Sequence, residues 1–287
     1  MRILLDHPQQ VRFLEEVQRA EGSDKRWSAF FKVQGGYRLV FSLDYFLGWQ
    51  SIDTRSTSRA GLPPGSSAFS ELLSVILNSP AVSLHGFYAH AGNSYSSTSL
   101  TQAKSYLSSE LQMVNDAATI ALEMHRDALL SGIHSQPLVL SVGSTPTAHA
   151  SGKDAKDLLE REVHGKIELH AGNYPMLDLQ QEHTSLIDYG CISQRVRATV
   201  VSYYPGRGGN GEDEALIDAG AIAFSKDTGP SGYYGEVVGK PWRLERMSQE
   251  HGILVCKDAD NANAKLAVGD AVEIIGQHAC LIAAVSR

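Results

Sequence analysis

Two residues apart near the end of the chain, His278 and Cys280 offer an imidazole and a thiolate. These are borderline-soft ligands suited to zinc, and two of them leave room on the metal for water or substrate. The flanking GQHACLIAAV suggests a strand, and strand side chains alternate, so both groups would fall on one face. The plainer reading of H-x-C is a small buried cysteine beside a packed histidine. A second chemistry lies in Pro137–Thr147 (PLVLSVGSTPT), where an apolar, β-capable run breaks into Gly143, Ser144, Thr145, Pro146 and Thr147. Backbone N–H groups and hydroxyls placed where a buried strand gives way to a helix are the kind that hold phosphate, although the same residues also make ordinary turns.

The same arrangement occurs at Val82–His90, followed by Ala91-Gly92-Asn93-Ser94-Tyr95, and at Lys166–His170, followed by Ala171-Gly172-Asn173-Tyr174. Three strands with polar, glycine-bearing carboxyl ends, separated by helical stretches, read as neighbouring βα units aiming their loops at one site. His90 then stands at the mouth of that site, unless it is a satisfied core histidine. Tyr88, Tyr95 and Tyr174 are site aromatics or packing residues with hydrogen-bonded tips.

The elements that must carry these residues begin with a strand at Arg2–Leu5 and a helix over Asp6–Ala20, with Asp6 as N-cap and Val11, Leu14 and Val17 on its apolar stripe. A strand over Trp27–Val33 and a helix over Ser67–Asn78 follow. A long helix over Ser97–Ser131 keeps Leu107, Leu111, Val114, Ala118, Leu122 and His125 in register at 3.6 residues. Asp154–Val163 reads as another helix. From about Ser185 the texture changes to short strands: RVRATVVSYY, GAIAFS, GYYGEVV, GILVCK, DAVEIIG and HACLIAAV. The expected organisation is an α/β domain over residues 1–184 and a β-rich domain over 185–287. Tyr37–Thr57 is apolar and aromatic and then featureless, which reads as an inserted hairpin or lid. The acidic runs Glu212–Glu214 and Ser248–His251 read as solvated surface.

A net charge of -7 and a pI near 5.9 leave no electrostatic footprint for nucleic acid, and no basic run marks a membrane surface. Cys191, Cys256 and Cys280 form no CxxC pair, and their odd number favours a reducing compartment. No secretory leader is readable at the start, so the expected location is cytoplasmic.

Taken in order, HGFYAHAGNSY, SVGSTPT, ELHAGNY, Asp218–Asp227, SQEHG and GQHAC resemble the eukaryotic D-serine dehydratase and D-threonine aldolase family. Its members are pyridoxal-phosphate enzymes of the alanine racemase fold, so the resemblance implies a partial (β/α) TIM-type barrel followed by a C-terminal β domain. It further implies pyridoxal 5'-phosphate as cofactor, bound at Arg59, Gly143, Ser144, Thr145, His170, Gly172, Asn173 and Tyr174. His90 would lie against the pyridine ring as a catalytic residue, with Tyr95 lining the same pocket. His170 occupies the place of an arginine facing the ring nitrogen in alanine racemases; a weakly basic group there implies a largely unprotonated nitrogen and a weaker electron sink. Zinc on His278 and Cys280 would compensate by polarising the substrate's β-hydroxyl, so that D-serine loses water and yields pyruvate and ammonia. The alternatives are retro-aldol cleavage of the D-threonine type and a non-catalytic remnant that binds the cofactor or an amino acid. The partner is a small D-amino acid, with neither nucleic acid nor membrane, and a homodimer is among the assemblies open to this fold.

The chain departs from the family in two ways. No lysine matches the Schiff-base motif near the family's N-terminus; Lys32, in KVQGG, lies in a strand that resembles a later one. The residues Tyr37–Thr57 are extra sequence between KVQGG and SRAGL, which implies retained intron, and Leu281–Arg287 looks cut short. The expectation is an incomplete chain that exposes apolar strand edges.

Overall fold

The computed structural model describes residues 2–34, 60–130, 137–152, 163–230 and 232–285, and the chain divides into two compact units, Met1–Ala171 and Gly172–Arg287. In the first, the elements run β1 (Arg2–Leu5), α1 (Pro8–Glu21), β2 (Trp27–Lys32), α2 (Ser67–Asn78), β3 (Val82–Tyr88), α3 (Leu100–Leu130), β4 (Val139–Val142), α4 (Thr145–His149) and β5 (Lys166–Leu169). The five strands lie side by side in chain order and every pair is parallel. This is the partial α/β barrel that the sequence implies.

Its core is aromatic and aliphatic. Phe31 on β2 stacks on Phe69 of α2 with ring centres 4.7 Å apart, and Phe87 of β3 joins them. All three are fully buried, each worth about 1.5–3 kcal/mol of apolar transfer. Leu107, Leu111, Val114 and Ala118 bring α3 into the same core.

Two local expectations change, and two segments go untested. The N-cap of α1 is His7, whose imidazole accepts the Gln9 N–H while Gln10 reaches back to the His7 backbone; Asp6 is one residue too early because Pro8 fixes the first helical position. Within α3, His125 leaves helical geometry at φ -139° and ψ 35°. The expected helix over Asp154–Val163 and the segment Tyr37–Thr57 fall almost entirely outside the described residues.

The second unit opens with the short α5 (Leu179–Glu182) and then builds a closed barrel from β6 (Val196–Tyr204), β7 (Glu214–Ile217), β8 (Gly235–Val237), β9 (Trp242–Met247), β10 (Gly252–Cys256) and β11 (Ala271–Gly276). The barrel order is β10-β7-β6-β11-β8-β9 with antiparallel pairs. Val200, Ile217, Trp242, Leu244, Leu254 and Ile274 fill it, and the Trp242 indole N–H donates to the Ala264 carbonyl at 2.6 Å. GAIAFS is a turn rather than a strand, folded back by the Ala223 and Phe224 N–H groups donating to the Gly220 carbonyl. HACLIAAV is not a strand either. Ala279–Val285 forms α6, opened by the Ile282 N–H donating to the His278 carbonyl, because a short apolar run without a turn signal suits helix as well as strand. Residues 172–184 go with this unit, tied to it by Asp178 and by the Gln180 N–H on the Gln277 carbonyl.

Candidate functional site

The carboxyl ends of β3, β4 and β5 bring one group of the expected site residues together. His90 donates from Nδ1 to the Gly143 carbonyl at 2.9 Å. Its ring lies 5.9 Å from that of His170 at an interplanar angle of 19° and 6.2 Å from that of Tyr95. His170 in turn stacks on Tyr88 at 4.5 Å and 10°. The result is a row of flat, partly exposed rings at a sheet edge.

Gly143 has to be glycine. Its φ is +129°, and a Cβ there would stand 2.4 Å from the His170 carbonyl oxygen, so the loop can rest on the end of β5 only without a side chain. Ser144 caps α4: its Oγ accepts the Thr147 N–H at 3.3 Å, its own N–H donates to the Thr147 hydroxyl at 2.8 Å, and it shares a hydrogen bond with Ser94 at 2.7 Å. Both polar groups of Ser144 are therefore engaged inside the protein, and it braces the loop. Thr145 is buried beside it.

Two ionisable groups under this surface are displaced. Burial, then the neighbouring His90, push the His170 imidazole down to about 4, against weaker upward pulls from Glu168 and the Gly143 carbonyl. Glu110, on α3 and only 1% exposed, is pushed up to about 7 by burial. The Ala91 N–H, which it accepts at 2.5 Å, leads the opposing pulls, with the Thr147 hydroxyl and the Gly143 N–H behind. Glu110 thus ties the loop after β3 to the loop after β4. Sequence reading passed over it, although its place between Leu107, Leu111 and Val114 on the buried stripe was the signal.

Ser141 and Glu168 were also passed over. Ser141 is buried on β4 and pairs across the sheet with Glu168 on β5. Its hydroxyl donates to Glu168 Oε1 at 2.9 Å and lies 3.2 Å from His170 Nδ1. Lys32 ends β2, half-buried, and Arg59 lies outside the described residues.

The second unit holds the other expected residues. Asn173 is buried and donates to Asp178 Oδ2, which also accepts the Ala279 N–H at 2.7 Å, while Oδ1 accepts the Gln181 N–H at 2.9 Å. Burial raises the Asp178 pKa against these donors. Asp178 therefore couples the Gly172–Asn173 loop to the start of α6. Gly172 and Cys280 are neighbours, since a Cβ on the glycine would sit 3.7 Å from the Cys280 sulfur. Burial and the Asp178 charge push the Cys280 thiol up. His278 donates from Nδ1 to Asp227 Oδ2 at 2.6 Å, which directs its lone pair to Nε2. A carboxylate on the far nitrogen is how metal-binding histidines are oriented. Tyr174 is 66% exposed. Among the described residues, no three or more His, Cys, Asp or Glu side chains gather as a metal cage, and no helix is long and apolar enough to cross a membrane.

Comparison with known proteins follows the same lines. Residues 193–287 match the family described as a putative serine dehydratase domain. The chain is 38% identical to the D-serine dehydratase of Schizosaccharomyces pombe over 99% of its own length, and it spans 62% of that relative. A solved alanine racemase-like protein from Idiomarina loihiensis shares the fold at a TM-score of 0.69 and 24% identity, over 99% of this chain and 66% of that one. The D-threo-3-hydroxyaspartate dehydratase of a Delftia strain shares the fold at a TM-score of 0.67 and 22% identity, over 99% and 67%. That enzyme has been solved as a cysteine-to-alanine variant in a metal-free form and as a histidine-to-alanine variant, and the two substituted positions lie two residues apart.

Proposed function

On the premise that this chain belongs to the D-serine dehydratase family, we propose that the protein carrying it is a lyase that eliminates water from D-serine, giving pyruvate and ammonia, with pyridoxal 5'-phosphate and zinc. The observation that carries the reading is the His278–Asp227 pair next to Cys280: an imidazole oriented by a carboxylate, and a thiol two residues on, at the spacing substituted in the Delftia enzyme.

The residues fit both groups. Zinc supplies Lewis acidity toward a β-hydroxyl, and the cofactor supplies an electron sink for charge developing at Cα. Nε2 of His278 and the Cys280 sulfur would hold the metal, with Asp227 fixing the imidazole and Asp178 fixing the start of α6. For the cofactor, the buried Gly143–Thr145 loop rests on the His170 backbone and is braced by Ser144, and His170 Nε2 is a buried polar atom without a hydrogen-bond partner among the described residues. His90 is held against the Gly143 carbonyl, ready to lie along a flat ring, and Tyr95 stands beside it. Gly172 and Asn173, in the second unit, are the other residues that the resemblance assigns to the phosphate, and Asn173 is held in place by Asp178. A small D-amino acid is the substrate and the location is cytoplasmic.

The test is a product assay with D-serine, L-serine and D-threonine, run before and after chelation and after zinc is restored. Pyruvate from D-serine alone, abolished by the chelator and recovered with zinc, is expected. Acetaldehyde from D-threonine would move the assignment to retro-aldol cleavage. Failure with every substrate, in protein that holds the cofactor, would leave a binding role.

A further inference from the structure

Ser141 and Glu168 form a relay behind His170. Ser141 and Glu168 are cross-strand partners on β4 and β5, and His170 lies two residues beyond Glu168, past the end of β5. Glu168 accepts an ion-pairing hydrogen bond from Arg2 at 3.1 Å through Oε2, and a carboxylate can only accept. The single Ser141 proton therefore goes to Oε1 at 2.9 Å. What Ser141 turns toward His170 Nδ1, at 3.2 Å, is a lone pair, so Nδ1 bears the proton. Nε2 is then a bare acceptor, buried and without a hydrogen-bond partner among the described residues.

We infer that Ser141 and Glu168 are positioning residues that lock His170 in the Nδ1–H tautomer, so that Nε2 meets its ligand only as an acceptor and takes a donor, such as a protonated ring nitrogen. The ligand half of this statement rests on the proposed cofactor site; the tautomer half rests on the β4–β5 pairing alone. An unprotonated pyridine nitrogen would set two lone pairs against each other, which a buried site does not tolerate without a proton between them. The ring nitrogen is thus protonated when His170 holds it, the reverse of what a weakly basic partner alone implied. Burial keeps His170 itself neutral, so it does not compete for that proton. The Gly143 carbonyl, which accepts from His90, also lies by the ring and nudges its pKa upward, yet Nε2 makes no hydrogen bond to it.

The experiment is a multiple-bond ¹⁵N–¹H correlation of the histidine rings in the uniformly ¹⁵N-labelled 287-residue chain at neutral pH, with His170 identified by loss of its signals in His170→Gln. Expected are a pyrrole-like Nδ1 and a pyridine-like Nε2 in the wild type. Ser141→Ala should show a mixture of tautomers at His170 with the other histidines unmoved, and Ser141→Thr should restore the single form. A pyrrole-like Nε2 in the wild type, its proton turned to the Gly143 carbonyl, would overturn the inference, as would a Ser141→Ala spectrum identical to wild type. Adding pyridoxal 5'-phosphate then separates the two halves. A displaced Nε2 signal supports the donor ligand, whereas an unmoved Nε2 in cofactor-saturated chain overturns that half and the cofactor role of His170, leaving the relay standing.

Discussion

Two buried glutamates, one in each unit, are treated in opposite ways. Glu110 is 1% exposed, lies beneath the loops after β3 and β4, and forms no ion pair among the described residues; it is held near neutrality by burial, with the Ala91 N–H as its leading counterweight. Glu214, at the start of β7, is 2% exposed and sits between Arg207 at 2.6 Å and Arg246 at 2.5 Å. Burial pushes the Glu214 pKa up, but the two guanidinium groups outweigh it and hold the carboxyl below its ordinary range. A carboxyl clamped by two cations is fixed in one charge state and serves the barrel. A carboxyl kept buried without a cation can change charge near neutral pH, and such groups gather where chemistry is done.

The largest effect that separates the two belongs to Glu110. Its pKa rises on folding from 4.5 to about 7, so over that range the folded chain holds more protons than the unfolded one and stability falls as pH rises. His170 goes the other way, from 6.5 down to about 4, so it holds fewer protons when folded and stability rises with pH across that window. The two contributions, on the order of 3 kcal/mol for Glu110 and about 2 kcal/mol for the partly exposed His170, oppose each other in the wild type, with His85 and His149, also lowered by burial, on the side of His170. Glu110→Gln removes one of them. Urea unfolding at pH 4.5 and 7.5 should then show the variant gaining about 3 kcal/mol relative to the wild type over that interval. Parallel profiles for the two proteins would show that Glu110 does not titrate in this range.

A smaller effect is expected at Glu214. The arginines are half-exposed, with side-chain exposures of 44% and 57%, so water screens the pair and Glu214→Gln should cost about 1–2 kcal/mol. Because the folded pKa is depressed, that contribution is fully present above the ordinary glutamate range and is lost only as pH falls through the folded value. Chemical denaturation at pH 6 and 8 should return the same difference; a difference that grows with pH would make Glu214 resemble Glu110.

Much of the first unit was legible because its helices carry clean apolar stripes and its strands end in loop residues of distinct type. α2 spans Ser67–Asn78 as expected, with Ser66 as its N-cap. The strands β7 and β9 were not readable: EALI is short, and WRLERM interleaves Trp242 and Leu244, which point into the barrel, with charged residues on its outer face. α6 reads as a strand in the sequence because ACLIAAV has no polar residue to reveal a period. Among the site residues, the rings announced themselves by type, His90 and His170 following strands. The groups that hold them did not. Asp178, Asp227, Ser141 and Glu168 act across the sheet or across many residues of chain, and only the fold shows which nitrogen or N–H each one faces.

The most direct test of the proposed chemistry is the zinc content of the purified chain, measured in the wild type, His278→Ala and Cys280→Ser. Stoichiometric zinc in the wild type, lost in both variants while each stays folded, is the predicted result. A wild type that takes up no zinc, or variants that hold as much as the wild type, would contradict it.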